Sequence, residues 1–181
     1  MLFFGHTGIT LTAFYSLERS MANRGRKIAA LIDYRLALIG SLLPDLVDKP
    51  LGFLFPKDLG NGRDFAHTLL FLAMITGLGL LLWWKHKWPG GLVLVGGCFV
   101  HLILDSMWNQ PAVLLWPFYG GAHNLAFPSG SPRLWLNSWI SLIRTNPAIY
   151  LSELYGILLL GWIIVFRRGL LTRMIKSGRI G

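Results

Sequence analysis

Three runs of apolar side chains, residues 67–84, 91–108 and 149–166, are each about as long as a lipid bilayer is thick. A helix crosses the hydrocarbon core in about 20 residues, and about 17 is the working minimum. Two shorter apolar segments precede them, residues 5–17 and a second that starts at 28 or 34 and ends at 46. These fit a bundle when tilted, seated in locally thin bilayer, or shielded by neighbours. The expected fold is therefore all-α: a polytopic membrane bundle of about five transmembrane or membrane-embedded helices, in a single domain over residues 1–181. Composition agrees, with 54% hydrophobic and only 14% charged residues, against about 25% charged in soluble domains.

The net charge of +9 does not point to nucleic acid, because no basic, aromatic-interleaved soluble module is visible. Its use is topological. Arg19, Arg24, Arg26, Lys27, Lys85, Lys87, Arg167, Arg168, Arg173, Lys176 and Arg179 fall in connections that alternate to one side. The other side holds Lys49, Lys57, Arg63, Arg133 and Arg144, and Arg35 lies within the second segment. Positive charge stays cytoplasmic. The expectation is an integral multi-pass protein with its N-terminus outside and its C-terminus in the cytoplasm. Cys98 is the single cysteine, which excludes an intrachain disulfide and a cysteine-based zinc site. The N-terminus lacks the basic region of a signal peptide.

On that frame the ionisable residues inside apolar segments gather at one face. His6 opens segment one, Asp45 and Asp48 end segment two, His67 opens segment three, and His101 and Asp105 lie in the outer half of segment four. Ionisable groups in membrane segments are expensive and mark function by default. The charge count did not use these residues, so their convergence is independent support for a site. His101 and Asp105 are four apart and share a helix face. Asp45 and Asp48 are three apart, with Pro44 and Pro50 beside them, so the helix there is expected to bend or restart. Carboxylates that converge without a cation repel one another, and a divalent ion removes that cost. A mixed histidine and carboxylate set suits zinc or manganese, as one or two ions.

The remaining residues carry open alternatives. Arg63 either binds phosphate through its planar guanidinium or snorkels at the interface. Glu153 is either a general base or a helix-capping charge. Asp64 is the expected N-cap of segment three, His123 lies on the outer loop and is left out of the ligand set, and His86 is a solvated cytoplasmic residue. Leu134 to Ile143 has the apolar stripe of an interfacial helix. The 114–118 stretch is expected to fold back against the bundle, with its tryptophan anchoring at the interface.

Gly40-Ser41-Leu42-Leu43-Pro44-Asp45 with Asp48, Arg63 to Thr68, His101-Leu102-Ile103-Leu104-Asp105 and Leu115-Trp116-Pro117 together resemble a known family. It is the membrane-bound metal-dependent hydrolases of the family of unknown function 457, also described as LexA-binding, inner-membrane-associated hydrolases. An early histidine of that family matches His6. The chain departs from the pattern in having two residues between Asp45 and Asp48, and in reading Ala66-His67-Thr68 where Thr-His-Ser is usual. The resemblance implies metal-dependent hydrolysis in the inner membrane, and leaves the substrate open.

The residues then suggest His6, Asp45, Asp48, His67, His101 and Asp105 as metal ligands. Arg63, Asp48 and Glu153 are the candidate catalytic groups. The expected activity is hydrolysis at the extracytoplasmic face, with lipid phosphoesters or other amphiphiles as substrates and membrane lipids as partners. The alternative is a non-enzymatic metal-binding membrane protein used for structure, partner assembly or transport.

Overall fold

Every regular element is helical among the residues that the computed structural model describes, namely 3–25, 31–54, 63, 65–119, 137, 140–141, 144–166 and 168–179. The long helices are α1 (Phe3–Asn23), α2 (Tyr34–Leu54), α3 (Leu69–His86) and α4 (Gly90–Leu104). A 3-10 turn (Met107–Asn109) and the short α5 (Pro111–Leu114) follow, and then α6 (Pro147–Phe166) and α7 (Arg168–Ser177).

Local chemistry sets the boundaries. Thr68 caps α3, its hydroxyl accepting from the Phe71 amide at 3.0 Å. The expected cap, Asp64, lies outside the described residues. Lys87 ends α3 in the left-handed region, φ 52°, with its amide on the Trp83 carbonyl, and Pro89 then forbids continuation. α2 runs through both Pro44 and Pro50 without restarting, so Asp45 and Asp48 sit on a continuous helix. Each proline leaves one carbonyl without its helical donor.

α4 lies against α2 and α3 and touches α1, while α1 also packs on α6. Glycine makes these approaches close. A Cβ at Gly97 would strike the Ala37 carbonyl and come within 2.8 Å of the Ser41 amide. One at Gly8 would stand 2.5 Å from the Gly156 carbonyl, across the α1–α6 contact. Small residues at crossings are how helices pack where lipid supplies no hydrophobic drive between them. An apolar core of Leu11, Phe14, Tyr34, Ala37, Val93, Ile163 and Met174 ties α1, α2, α4, α6 and α7 together. The Tyr34 hydroxyl donates to the buried Glu18 carboxylate within this region. Gly178 at φ 74° closes α7, and its carbonyl accepts the Tyr34 amide at 2.7 Å. The end of α7 thus helps start α2. Beside it the Arg35 guanidinium donates twice to Asp33 and holds that carboxyl below the usual carboxylate range.

Two of the described helices, α3 and α6, are long and apolar enough to cross a membrane by length and composition. Only 6% and 11% of their apolar windows are buried, which is not how core helices of soluble domains sit. Three full spans were expected, with two shorter embedded segments before them, and one of those three spans, α4, is not long enough by this measure. α4 is shorter, at fifteen residues, and α1 and α2 carry Glu18, Arg19, Arg35, Asp45, Asp48 and Lys49 within their lengths. Only the start of the 114–118 stretch folds back. Leu114 packs with Leu102, Met107 and Val113, and Phe118 is exposed. Apart from Asn137, Ile140 and Ser141, the interfacial segment expected at 134–143 lies outside the described residues, as does His123.

The glycine contacts carry a test. Gly97→Leu is expected to destabilise by about 1–3 kcal/mol or more, the range of core overpacking. Gly161→Leu, where a Cβ meets nothing within 4 Å, should leave stability unchanged. Thermal unfolding in detergent measures both.

A candidate metal centre

Three histidines, His6, His67 and His101, are among the largest fully buried side chains of the protein, each at 0% exposure. They come from α1, from the segment leading into α3, and from α4. The α2–α4 and α3–α4 packing brings the last two together.

The histidine tautomers follow from their partners. His67 Nδ1 lies 2.7 Å from Asp48 Oδ2. The same carboxylate accepts the Ala66 amide at 2.8 and 3.1 Å. His101 Nδ1 lies 2.7 Å from the Ser41 carbonyl oxygen. A carbonyl and a carboxylate accept, so both rings donate from Nδ1, and in the neutral form each carries its lone pair on Nε2. Those two Nε2 atoms face one another at 3.2 Å. Two neutral imidazoles in this state have no hydrogen to share. A cation between them resolves the conflict.

Carboxylates complete the surroundings. Asp45 Oδ1 and Asp105 Oδ2 each stand 3.8 Å from His67 Nε2, and Asp105 Oδ2 stands 4.0 Å from His101 Nε2. Ligand bonds of about 2.1 Å around a tetrahedral ion place the donor atoms about 3.4 Å apart. The observed separations bracket that value. His6 stacks on His101 with centroids 4.0 Å apart and rings 14° from parallel. Its Nε2 is 3.2 Å from Asp105 Oδ1, an ion-pair contact, and its Nδ1 has no hydrogen-bond partner. A buried imidazole nitrogen without a partner is costly, and a metal ligand is what such a ring can be. The donors form two overlapping sets, His6, Asp45 and His101, and His67, His101 and Asp105, with ligand atoms in each within 4.8 Å of one another. The residues present therefore fit a divalent ion.

Other expected site residues fall elsewhere. Asp48 sits behind His67, its oxygens taken up by the ring and by Ala66, so it orients a donor rather than facing the cluster. Such a carboxylate fixes the ring and raises its basicity. Arg63 Nη2 is 2.7 Å from Asp105 Oδ2. Glu153, on α6, accepts from the Phe4 and Gly5 amides at 2.8 and 3.1 Å. It caps the first turn of α1, one residue before His6, where a negative charge is favoured. His86 is exposed at the end of α3. Lys49, counted in the sequence only as a basic residue of the outer side, pairs with Asp45 at 2.7 Å. Its signal was the four-residue spacing on one helix. Ser41 as an acceptor had none.

The family model described as YdjM inner membrane protein matches residues 1–174. The chain belongs to that family. The motifs at residues 40–48, 63–68 and 101–105 had pointed to it, and it places the protein in the inner membrane. No curated protein and no solved structure matches the chain. The buried histidine and aspartate cluster is thus the local geometry of an inner-membrane family member that could hold a metal ion.

The orienting role of Asp48 is open to measurement. Asp48→Ala should weaken zinc binding about 10- to 100-fold, the usual cost of losing such a partner. His86→Ala should leave it unchanged. Calorimetric titration of the purified protein decides, and equal affinity in Asp48→Ala and wild type contradicts the role.

Proposed function

We propose that this inner-membrane protein is a metal-dependent hydrolase whose site opens at the extracytoplasmic face and acts on phosphoesters of lipids. The observation that carries the reading is the pair of imidazole Nε2 atoms facing each other at 3.2 Å, with both Nδ1 hydrogens already committed. Zinc or manganese suits the donors, as one ion or two. In this reading α1, α2 and α4 are embedded beside the spanning α3 and α6, the N-terminus is outside, and the basic tail with α7 is cytoplasmic.

A bound divalent ion supplies Lewis acidity and a nucleophile at neutral pH. The chain's own residues do the rest. His67 and His101 hold their donor atoms in place through Asp48 and the Ser41 carbonyl. Arg63, 29% exposed at its side chain, offers a planar fork of donors to phosphate oxygens. Asp45 is 13% exposed, against 2% for Asp105 and 0% for Asp48. It is therefore the carboxylate best placed to pass a proton to solvent. The base role expected of Asp48 or Glu153 moves to it, because those two carboxylates are held on Ala66 and His67 and on the first turn of α1. Apolar outer helix faces bring an amphiphile's head group to the mouth.

One observation favours the second reading, a non-enzymatic metal-binding module. All three histidines are fully buried, as in a closed structural site. Turnover separates the two. Chelation should abolish hydrolysis of a lipid phosphomonoester and zinc or manganese should restore it. Arg63→Ala should lower kcat/KM on the order of tenfold or more with metal content retained. A metal-loaded protein inactive on phosphomonoesters, phosphodiesters, carboxyl esters and amides supports the structural reading.

A further inference from the structure

Two cations stand at the outer side of the cluster, and each is bound to a carboxylate that also faces it. Lys49 Nζ lies 2.7 Å from Asp45 Oδ2, and the other oxygen of Asp45 lies 3.8 Å from His67 Nε2. Arg63 Nη2 lies 2.7 Å from Asp105 Oδ2, whose carboxylate also approaches His6, His67 and His101. Each carboxylate is therefore a layer between a cation and the histidines. The cations are the accessible layer, with side chains 35% and 29% exposed, while the histidines are fully buried.

The charges change sign with occupancy. Asp45, Asp48 and Asp105 against Lys49 and Arg63 leave one negative charge when the histidines are neutral. A divalent ion turns that into one positive charge. Before the ion arrives the mouth disfavours an anion, and afterwards it favours one. A carboxylate that shares its charge with a divalent ion also holds its ammonium or guanidinium partner less strongly, so those donors become available to a second anion. Arg63 suits two oxygens at once, and Lys49 adds a point charge from a different element. A tetrahedral dianion with several oxygens uses both, whereas a single carboxylate does not.

We infer that Lys49 and Arg63 form a receptor for a phosphate-type dianion that follows a divalent cation into the site, so that cation and phosphate each strengthen the other's binding. The inference rests on the metal reading proposed above and names the ligand class of the same site. Linkage makes the coupling reciprocal: the factor by which phosphate tightens the cation is the factor by which the cation tightens phosphate.

The test is Mn²⁺ titration of the full-length protein in phosphatidylcholine nanodiscs, with and without inorganic phosphate. It compares wild type, Lys49→Met, Arg63→Met, Arg63→Lys and Lys85→Met. Phosphate should tighten Mn²⁺ on the order of tenfold in wild type and in Lys85→Met. Lys49→Met and Arg63→Met should still bind Mn²⁺ and lose most of that gain. Arg63→Lys keeps the charge without the fork and should retain part of it. Replacing free phosphate by phosphatidic acid in the disc, against phosphatidylglycerol at matched surface charge, identifies the source. A gain with phosphatidic acid points to a lipid head group, and a gain with inorganic phosphate alone points to a soluble ligand. Mn²⁺ binding that phosphate leaves unchanged in wild type overturns the receptor and leaves the metal reading intact. Full coupling retained in both methionine variants overturns the assignment to these residues. Absence of Mn²⁺ binding under every condition, with Zn²⁺ equally unbound in a parallel titration, overturns the metal reading and the receptor together.

Discussion

The structure depends on two hydrogen bonds that commit the Nδ1 atoms of His67 and His101. One goes to the Asp48 carboxylate and the other to the Ser41 carbonyl, both on α2. They turn the two Nε2 lone pairs toward each other inside a fully buried space. With both rings neutral and no cation this is a frustrated arrangement of two acceptors, which folded proteins avoid in buried places. A divalent ion converts the same atoms into a ligand set.

The helix packing serves that alignment. α2 must approach α4 closely enough for Ser41 to reach His101, which sets one side chain against another helix's backbone. Gly97 makes this approach possible, since any Cβ there would run into α2. α1 brings His6 onto the His101 ring, and its contact with α6 is closed by Gly8, Gly156 and the Glu153 cap. The apolar faces of α3 and α6 are left mostly unburied by the rest of the bundle.

Much of this was legible in the sequence. Long apolar runs set the helical class, because length and composition decide it before packing does. The four-residue spacing of His101 and Asp105 survives as atoms 4.0 Å apart. The ordered motifs identified the family. Other features depend on tertiary contacts that no local pattern carries. Whether Asp45 or Asp48 faces the cluster turns on α2 continuing through Pro44 without restarting. The place of Glu153 is a contact across 148 positions. One of the three full spans expected from hydropathy did not follow, because α4 is fifteen residues long.

The most direct measurement is anomalous diffraction from zinc-loaded crystals, collected on both sides of the zinc edge. The predicted result is a peak about 2.0–2.1 Å from both His67 Nε2 and His101 Nε2, with Asp45 or Asp105 oxygens completing the shell. Stoichiometric zinc bound elsewhere, with the two Nε2 atoms still facing each other and no peak between them, would contradict the metal centre.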